Sequence, residues 1–479
     1  MFFSIVFTRA VPLQAGAAKT KFLSVRLFTH ASPRCYGPVA MRERRSQFPL
    51  DRAASIKGQR GKKAILMNSY QWLSLAGEKS VLAACIMAAT VVAGAFAQTP
   101  APIKGGRTGV TIYVSKAGDN SDGSSWSKAF TTIQQALLAV PDDKGGHRIV
   151  IRPDRYVEAN LYPAFKGAHG AYNVLTGDYD GKLGSGATGW VIVDSSCPDQ
   201  HVRKNPKGDE DIPGFVVTEG GEPEPGLKSI DWWSAIRADR KFSAVGWDRW
   251  VWRHAYVTGA EGGLLWDLTC EQGKEFTIVV EDCVGIGRFA GAMVGAFVGR
   301  ADEPIVFRDS YFCNMNWWSD DGAAYVRAHN VSMPAAPDVT FENCTLVSPD
   351  NALQAGNIGY VGYTRVALKK CRLISLNFSP PHGPGTGIIN SRVKGEFLHV
   401  DFEDCAMMGL MVFGTGTERG YDGKIGYTVK GRVTAYLQFR EKVPKGMKAV
   451  PLFPVELYAA IRVPEPGELK AANRAAPKP

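Results

Sequence analysis

Three turn-rich stretches of this chain carry side chains able to do acid–base chemistry. Asp320 and Asp321 occur in NMNWWSDDG (314–322), Asp350 in SPDNALQ (348–354) and His382 in NFSPPHGPG (377–385). Carboxyl groups held roughly 5 to 9.5 Å apart are what cleavage of a glycosidic bond requires, and two adjacent carboxylates such as Asp320 and Asp321 push one pKa upward. Trp317 and Trp318 offer flat apolar faces for a sugar ring, and Arg327 is suited to the carboxylate of an acidic sugar. Elimination would instead need a base to remove the proton α to a uronate carboxyl and a cation to neutralise that carboxyl. Arg327, Arg392 and Lys394 are the candidates, with calcium held by Asp side chains if that is the chemistry. No calcium-loop spelling stands out, so the metal stays open. Each of these residues also has a plain reading: Asp-Asp-Gly and Ser-Pro-Asp-Asn are ordinary turns, and a His beside Pro and Gly can simply shape a loop.

The elements that must position these groups are written in a repeat. WVWRHAYV (250–257), IVVEDCVG (278–285), IVFRDSYF (305–312), VTFENCTL (339–346), VALKKCRL (366–373) and VDFEDCAM (400–407) share one spelling: apolar, any, apolar, charged, polar, small, any, usually apolar. Their small residues are Ala255, Cys283, Ser310, Cys344, Cys371 and Cys405, at successive spacings of 28, 27, 34, 27 and 34 residues. A period of this size marks a solenoid. Apolar residues alternate, skip three, then alternate again, which strands can do only by bending at a corner. The spelling predicts an all-β fold, a right-handed parallel β-helix whose coils stack roughly 4.8 Å apart. Two coils are seven residues longer than the rest, and the extra length falls after Phe312 and after Leu373, where it would wall a cleft with Asp350 on the short coil between. Asp321 and His382 each lie eleven residues past their small residue, which predicts the same azimuth two coils apart.

Arg253, Glu281, Arg308, Glu342, Lys369 and Glu403 occupy the charged position and alternate in sign, predicting an outward ladder of opposite charges. The cysteines at the small position predict a column of free, buried thiols, with Cys197, Cys270 and Cys313 outside it. Eight of the eleven tryptophans lie between Trp232 and Trp318. Trp250 and Trp252 fall on inward positions, whereas Trp232, Trp233 and Trp247 are open to a sugar-binding role.

The formal charge of +10 does not indicate a nucleic-acid partner: residues 1–97 hold 14 Lys and Arg against 3 Asp and Glu, leaving 42 against 43 in the rest. Residues 67–97 read as a secretory signal peptide, with a lysine-bearing start, an apolar run and an Ala-Phe-Ala exit. Residues 1–66 then read as an over-long start or an unstructured extension, and 98–110 as a linker. The β-helix domain is expected over 111–462 and a disordered tail over 463–479. The protein would be secreted, periplasmic or at the cell surface, with no membrane span left after cleavage.

Ahead of the repeats, the sequence from Thr111 to Ala159 predicts a strand, a polar loop, a short amphipathic helix built on Ile133, Ala136, Leu137 and Val140, and a second strand over 148–152. The helix would cap the open end of the first coil. Tyr113-Val114-Ser115, Gly118, Asp119, Gly123, Phe130, Thr132-Ile133-Gln134, Ala136, Tyr156 and Glu158 resemble the opening phrase of secreted pectin-lyase-like β-helix proteins, with Asp154 where that phrase has glycine. The resemblance spans about 111–410 and implies a polysaccharide partner. Asp320-Asp321, His382-Gly383 and Arg392-x-Lys394 are similar to motifs of polygalacturonase-like glycoside hydrolases, but here His382 falls two coils after Asp321 rather than one. The expected function is a glycoside hydrolase or polysaccharide lyase; the alternative is a non-catalytic carbohydrate-binding or cell-surface solenoid.

Overall fold

The computed structural model describes residues 107–159, 161–195, 202–204, 211–213, 234–237, 244–259, 262–267, 273–287, 290–315, 322–355, 362–376, 387–391, 397–414, 425–451, 455–468 and 470. All belong to the compact unit Lys79–Pro479. The extension and signal peptide expected over 1–97, and the part of the 98–110 linker before residue 107, lie outside the described residues.

Three sheets, each parallel throughout, wrap one core. The first has ten strands: Thr111–Val114, Arg148–Ile151, Asn173–Gly177, Trp250–Arg253, Ile278–Glu281, Ile305–Arg308, Val339–Glu342, Thr364–Lys369, Leu398–Glu403 and Ile425–Lys430. The second also has ten, running from Arg155–Val157 and Val191–Asp194 through Ala255–Gly259, Tyr311–Asn314, Thr345–Ser348 and Arg372–Ser375 to Lys448–Pro451. The third has six: Ser234–Arg237, Gly262–Asp267, Ala290–Phe297, Ala324–Ala328, Leu353–Ala355 and Ile389–Ser391. The six central coils visit the three sheets in turn, the terminal coils contribute strands to the first two only, and each strand pairs with its counterpart one coil away. This is the right-handed parallel β-helix that the repeat spelling requires, its hand the one parallel crossovers adopt.

The corner between the first and second sheets has one recurring device. His254, Asp282, Asp309, Asn343, Lys370 and Asp404, the residue before the small position in all six repeats, take φ values of 48° to 56°. That left-handed conformation is tolerated best by short polar side chains, which is why four of the six are Asp or Asn. The following residue turns straight into the core, where only a small side chain fits: Ala255, Cys283, Ser310, Cys344, Cys371 and Cys405 are all buried.

The described cysteines Cys283, Cys313, Cys344, Cys371 and Cys405 are free. Within the column each thiol hydrogen bonds to main-chain carbonyls, Cys371 Sγ to Lys369 at 3.3 Å and Phe341 at 3.3 Å, and Cys405 Sγ to Leu368 at 3.2 Å. Burial pushes the thiols of Cys283, Cys371 and Cys405 well up. Cys313 stands outside the column on the outer face of the second sheet, its thiol pushed up to about 11 by burial. Since all four column thiols are buried from the reagent, iodoacetamide at pH about 8 should leave Cys283, Cys344, Cys371 and Cys405 unmodified in the native protein and label all four in denaturant. Native labelling at any of them, read by mass spectrometry, would show that the corner opens.

The charge ladder is present and one rung longer than expected. Arg253, Glu281, Arg308, Glu342, Lys369, Glu403 and Lys430 stand opposite one another in successive strands. Glu281 pairs with both Arg253 and Arg308, the latter at 3.1 Å, and Glu403 with Lys430 at 3.0 Å.

Helix Ile133–Leu138 covers the first coil, burying Ile133, Ala136 and Leu137. Six residues are too few for a helix to persist alone, and its order comes from outside. The Glu158 carboxylate accepts hydrogen bonds from the main-chain N–H of Ile133 at 2.7 Å and Gln134 at 2.9 Å. The Gln134 side chain in turn bonds both main-chain groups of Tyr162. The glutamate of the opening phrase is thus a helix cap delivered from the next strand. Asp154, in place of glycine, builds its turn by accepting from the Arg155 N–H at 2.7 Å. Replacing Glu158 with Ala should lower unfolding free energy by about 2 kcal/mol, readable in a urea titration; a loss below about 0.5 kcal/mol would assign the cap to solvent instead.

Two expectations are corrected. Trp247 is no sugar platform: it is fully buried, set edge-on to Trp250 at 5.3 Å and tilted against Trp252 at 5.2 Å, with its indole N–H donating to the Leu161 carbonyl at 3.0 Å. Trp232 and Trp233 lie outside the described residues. The tail expected to be disordered from 463 is instead placed as far as Glu468: Pro464 is buried and its carbonyl accepts from the Trp190 indole N–H at 3.3 Å, and Gly467 rests on the Tyr179 ring. Among the described residues no helix is long and apolar enough to cross a membrane.

Candidate functional site

The extra length of the two long coils lies where the spacing puts it. Nine residues separate strand Tyr311–Asn314 from Ala324–Ala328, four separate Thr345–Ser348 from Leu353–Ala355, and thirteen separate Arg372–Ser375 from Ile389–Ser391. All three connections lead from the second sheet into the third, so the third sheet is the floor they share.

On that floor the inward residues Ala324, Val326, Leu353, Ala355 and Ile389 join the core. The alternate positions point away from it, and they are not apolar. Tyr325 stands opposite Gln354, and Gln354 opposite Asn390, in three successive coils. Two residues past Tyr325 on the same face is Arg327, its guanidinium carbon 5.3 Å from the Tyr325 ring centroid. Tyr325, Arg327, Gln354 and Asn390 are all buried although they lie on the outer side of the sheet.

Arg327 has a special neighbour. It stands opposite Gly295, where the register slips by one residue and Ala296 adopts a φ of 56°. This is a β-bulge, a device that re-aims side chains at sheet edges. The glycine leaves no side chain opposite Arg327 on the preceding coil.

Asp350 lies in the turn that feeds Leu353–Ala355. Its N–H donates to the Ser348 hydroxyl at 3.1 Å and its carbonyl accepts from the Ser375 hydroxyl, and both Asp350 and Asn351 are fully buried. Gly322 packs against the same turn: a Cβ there would come within 2.8 Å of Asn351 Oδ1. The glycine of Asp-Asp-Gly is thus demanded by close approach, and Asp321 is the residue before it in the chain.

Of the residues expected to form the site, Arg327 and Asp350 are described, Arg327 on a strand of the third sheet and Asp350 in the turn that leads into that sheet one coil on. Asp320, Asp321, His382, Trp317, Trp318, Arg392 and Lys394 lie outside the described residues. Tyr325, Gln354 and Asn390 were not anticipated. Among the described residues no three His, Cys, Asp or Glu side chains gather as a metal site.

Fold and floor together define a right-handed parallel β-helix protein with a buried polar ladder on the outside of its third sheet. No family model matches the chain, and no curated protein matches it. Among solved structures, the crystal structure of pectate lyase Pel9A is similar at a TM-score of 0.40 and 14% identity, over 72% of this chain and 75% of that one.

Proposed function

We propose that this chain acts on a polysaccharide bound along the outer face of the third sheet, breaking a glycosidic bond by hydrolysis or elimination outside the cytoplasm. One observation carries the reading: Tyr325, Gln354 and Asn390 form a polar ladder in three successive coils beside Arg327, on the floor fed by the connections after Asn314 and Ser375. Amide and phenol groups repeated at roughly 4.8 Å suit a ligand that presents hydroxyls repeatedly. A guanidinium suits a carboxylate on such a ligand.

In this reading Asp320, Asp321, Asp350 and His382 are the acid–base groups, Trp317 and Trp318 stack against sugar rings, and Arg392 and Lys394 join Arg327 in holding negative charge. The secretory signal over 67–97 belongs to the same reading. Calcium enters only if elimination is the chemistry. A second reading, a non-catalytic carbohydrate-binding solenoid, is favoured by the complete burial of Asp350.

Digestion of a panel of neutral, uronic and sulfated polysaccharides, with and without calcium, separates them. New reducing ends without unsaturated products would mean hydrolysis, and both signals together elimination. Asp350→Asn should then cut the rate by about 100-fold or more. Retention on polysaccharide with neither signal would leave binding alone.

A further inference from the structure

The outer face of the second sheet carries a band of mostly apolar side chains, Ile286, Cys313, Val347, Ile374, Met408 and Tyr436, in register from coil to coil. The C-terminal segment crosses it in the reverse direction. Helix Val455–Ala459 packs against strand Ala406–Gly409 and buries Leu457. Further on, the Tyr311 hydroxyl donates to the Ile461 carbonyl at 2.7 Å, and the Trp190 indole N–H donates to the Pro464 carbonyl at 3.3 Å. Gly467 then rests on the Tyr179 ring, where a Cβ would lie 3.3 Å from Cε2.

Both hydrogen bonds are received by main-chain carbonyls, so the face reads the backbone of the segment more than its side chains. Residues 463–466 are Val-Pro-Glu-Pro, without helix or strand. Proline fixes φ and keeps such a stretch extended at little entropic cost. Aromatic surfaces with indole and phenol donors are how extended proline-containing segments are commonly held. The attachment is also slight. Leu457 and Pro464 are buried, but Tyr458 and Val463 are 41% and 36% exposed, and exposed Arg462 pairs with Glu468 of the arm itself rather than with the body. Segments with few buried contacts open at lower free energy than the body they rest on.

We propose that the outer face of the second sheet is a receptor for an extended, proline-containing segment, and that residues 455–468 are an exchangeable arm that docks on the same face of a second copy when released from its own. The second copy is the partner the structure specifies, because its arm has the same sequence and meets the same Tyr311, Trp190 and Tyr179. Exchange of an identical element is a low-cost route to a dimer.

A labelled peptide of residues 455–470, titrated against the full chain, tests this. Wild-type protein, its face filled in cis, should bind weakly. Leu457→Asp, which releases the arm, should bind at least about tenfold tighter. Adding Tyr311→Phe to that variant should weaken binding by about five- to tenfold with the β-sheet circular dichroism unchanged. Should Leu457→Asp not fold, Pro464→Asp serves as the release variant with the same readout. Equal binding by wild-type and released chains, absence of binding by a folded released chain, or indifference to Tyr311→Phe would each overturn the proposal.

Discussion

Phe341→Ala should lower unfolding free energy by about 3–5 kcal/mol. Phe341 is fully buried in strand Val339–Glu342, its ring stacked on Phe307 of the preceding coil at 4.8 Å with 10° between planes. Phe312 meets both rings near edge-on, Phe307 at 5.4 Å and Phe341 at 6.4 Å. The three rings fill one section of the solenoid from two sheets. A coil touches only its neighbours, and their strands are pinned by the sheet ladders on both sides, so little can move in to fill the void. Thr340→Ala, one residue away on the outer side of the same strand and itself buried, removes only a methyl and a hydroxyl and should cost less, about 1–2 kcal/mol. Urea titration of the two variants reads the difference; equal losses would mean that the core relaxes around the missing ring.

The same geometry explains which parts of the molecule were legible in the sequence. Between the first and second sheets the chain turns through two residues, His254-Ala255 or Asn343-Cys344, with no room for insertion. The left-handed residue, the small residue and the apolar alternation therefore recur at fixed offsets and can be read directly. The charge ladder follows from the same register. Between the second and third sheets nothing fixes the length. Tyr325 lies fifteen residues after Ser310, Gln354 ten after Cys344 and Asn390 nineteen after Cys371, although the three are neighbours in space. No periodicity links them in sequence, and a Tyr, a Gln and an Asn share no spelling. Arg327 could be picked out by type, but only the register shows that a glycine, Gly295, stands opposite it beside the bulge at Ala296. Trp247 misled for a related reason. It precedes the repeat rather than belonging to it, so nothing in the spelling assigns it inward, and its partner Leu161 is 86 residues away.

Under the proposed function, Arg327→Met should lower kcat/KM on a uronic polysaccharide by about 100- to 1000-fold while the β-sheet circular dichroism stays unchanged. Methionine keeps length and polarizability against the Tyr325 ring but removes the charge and all five N–H donors. Arg327→Lys restores the charge without the planar fork, so it should recover only part of the loss, to within about tenfold of wild type. How the loss divides between kcat and KM identifies the step at which the guanidinium acts. A rise in KM alone means that it holds the substrate carboxylate equally in the ground and transition states; a fall in kcat means that it meets charge that develops as the bond breaks. A neutral polysaccharide in the same assay provides the control, since it offers no carboxylate and its turnover should hardly respond. If Arg327→Met leaves uronic and neutral substrates equally active, the guanidinium serves the bulge at Ala296 rather than the ligand, and the polar ladder of Tyr325, Gln354 and Asn390 would have to recognise the sugar through its hydroxyls alone.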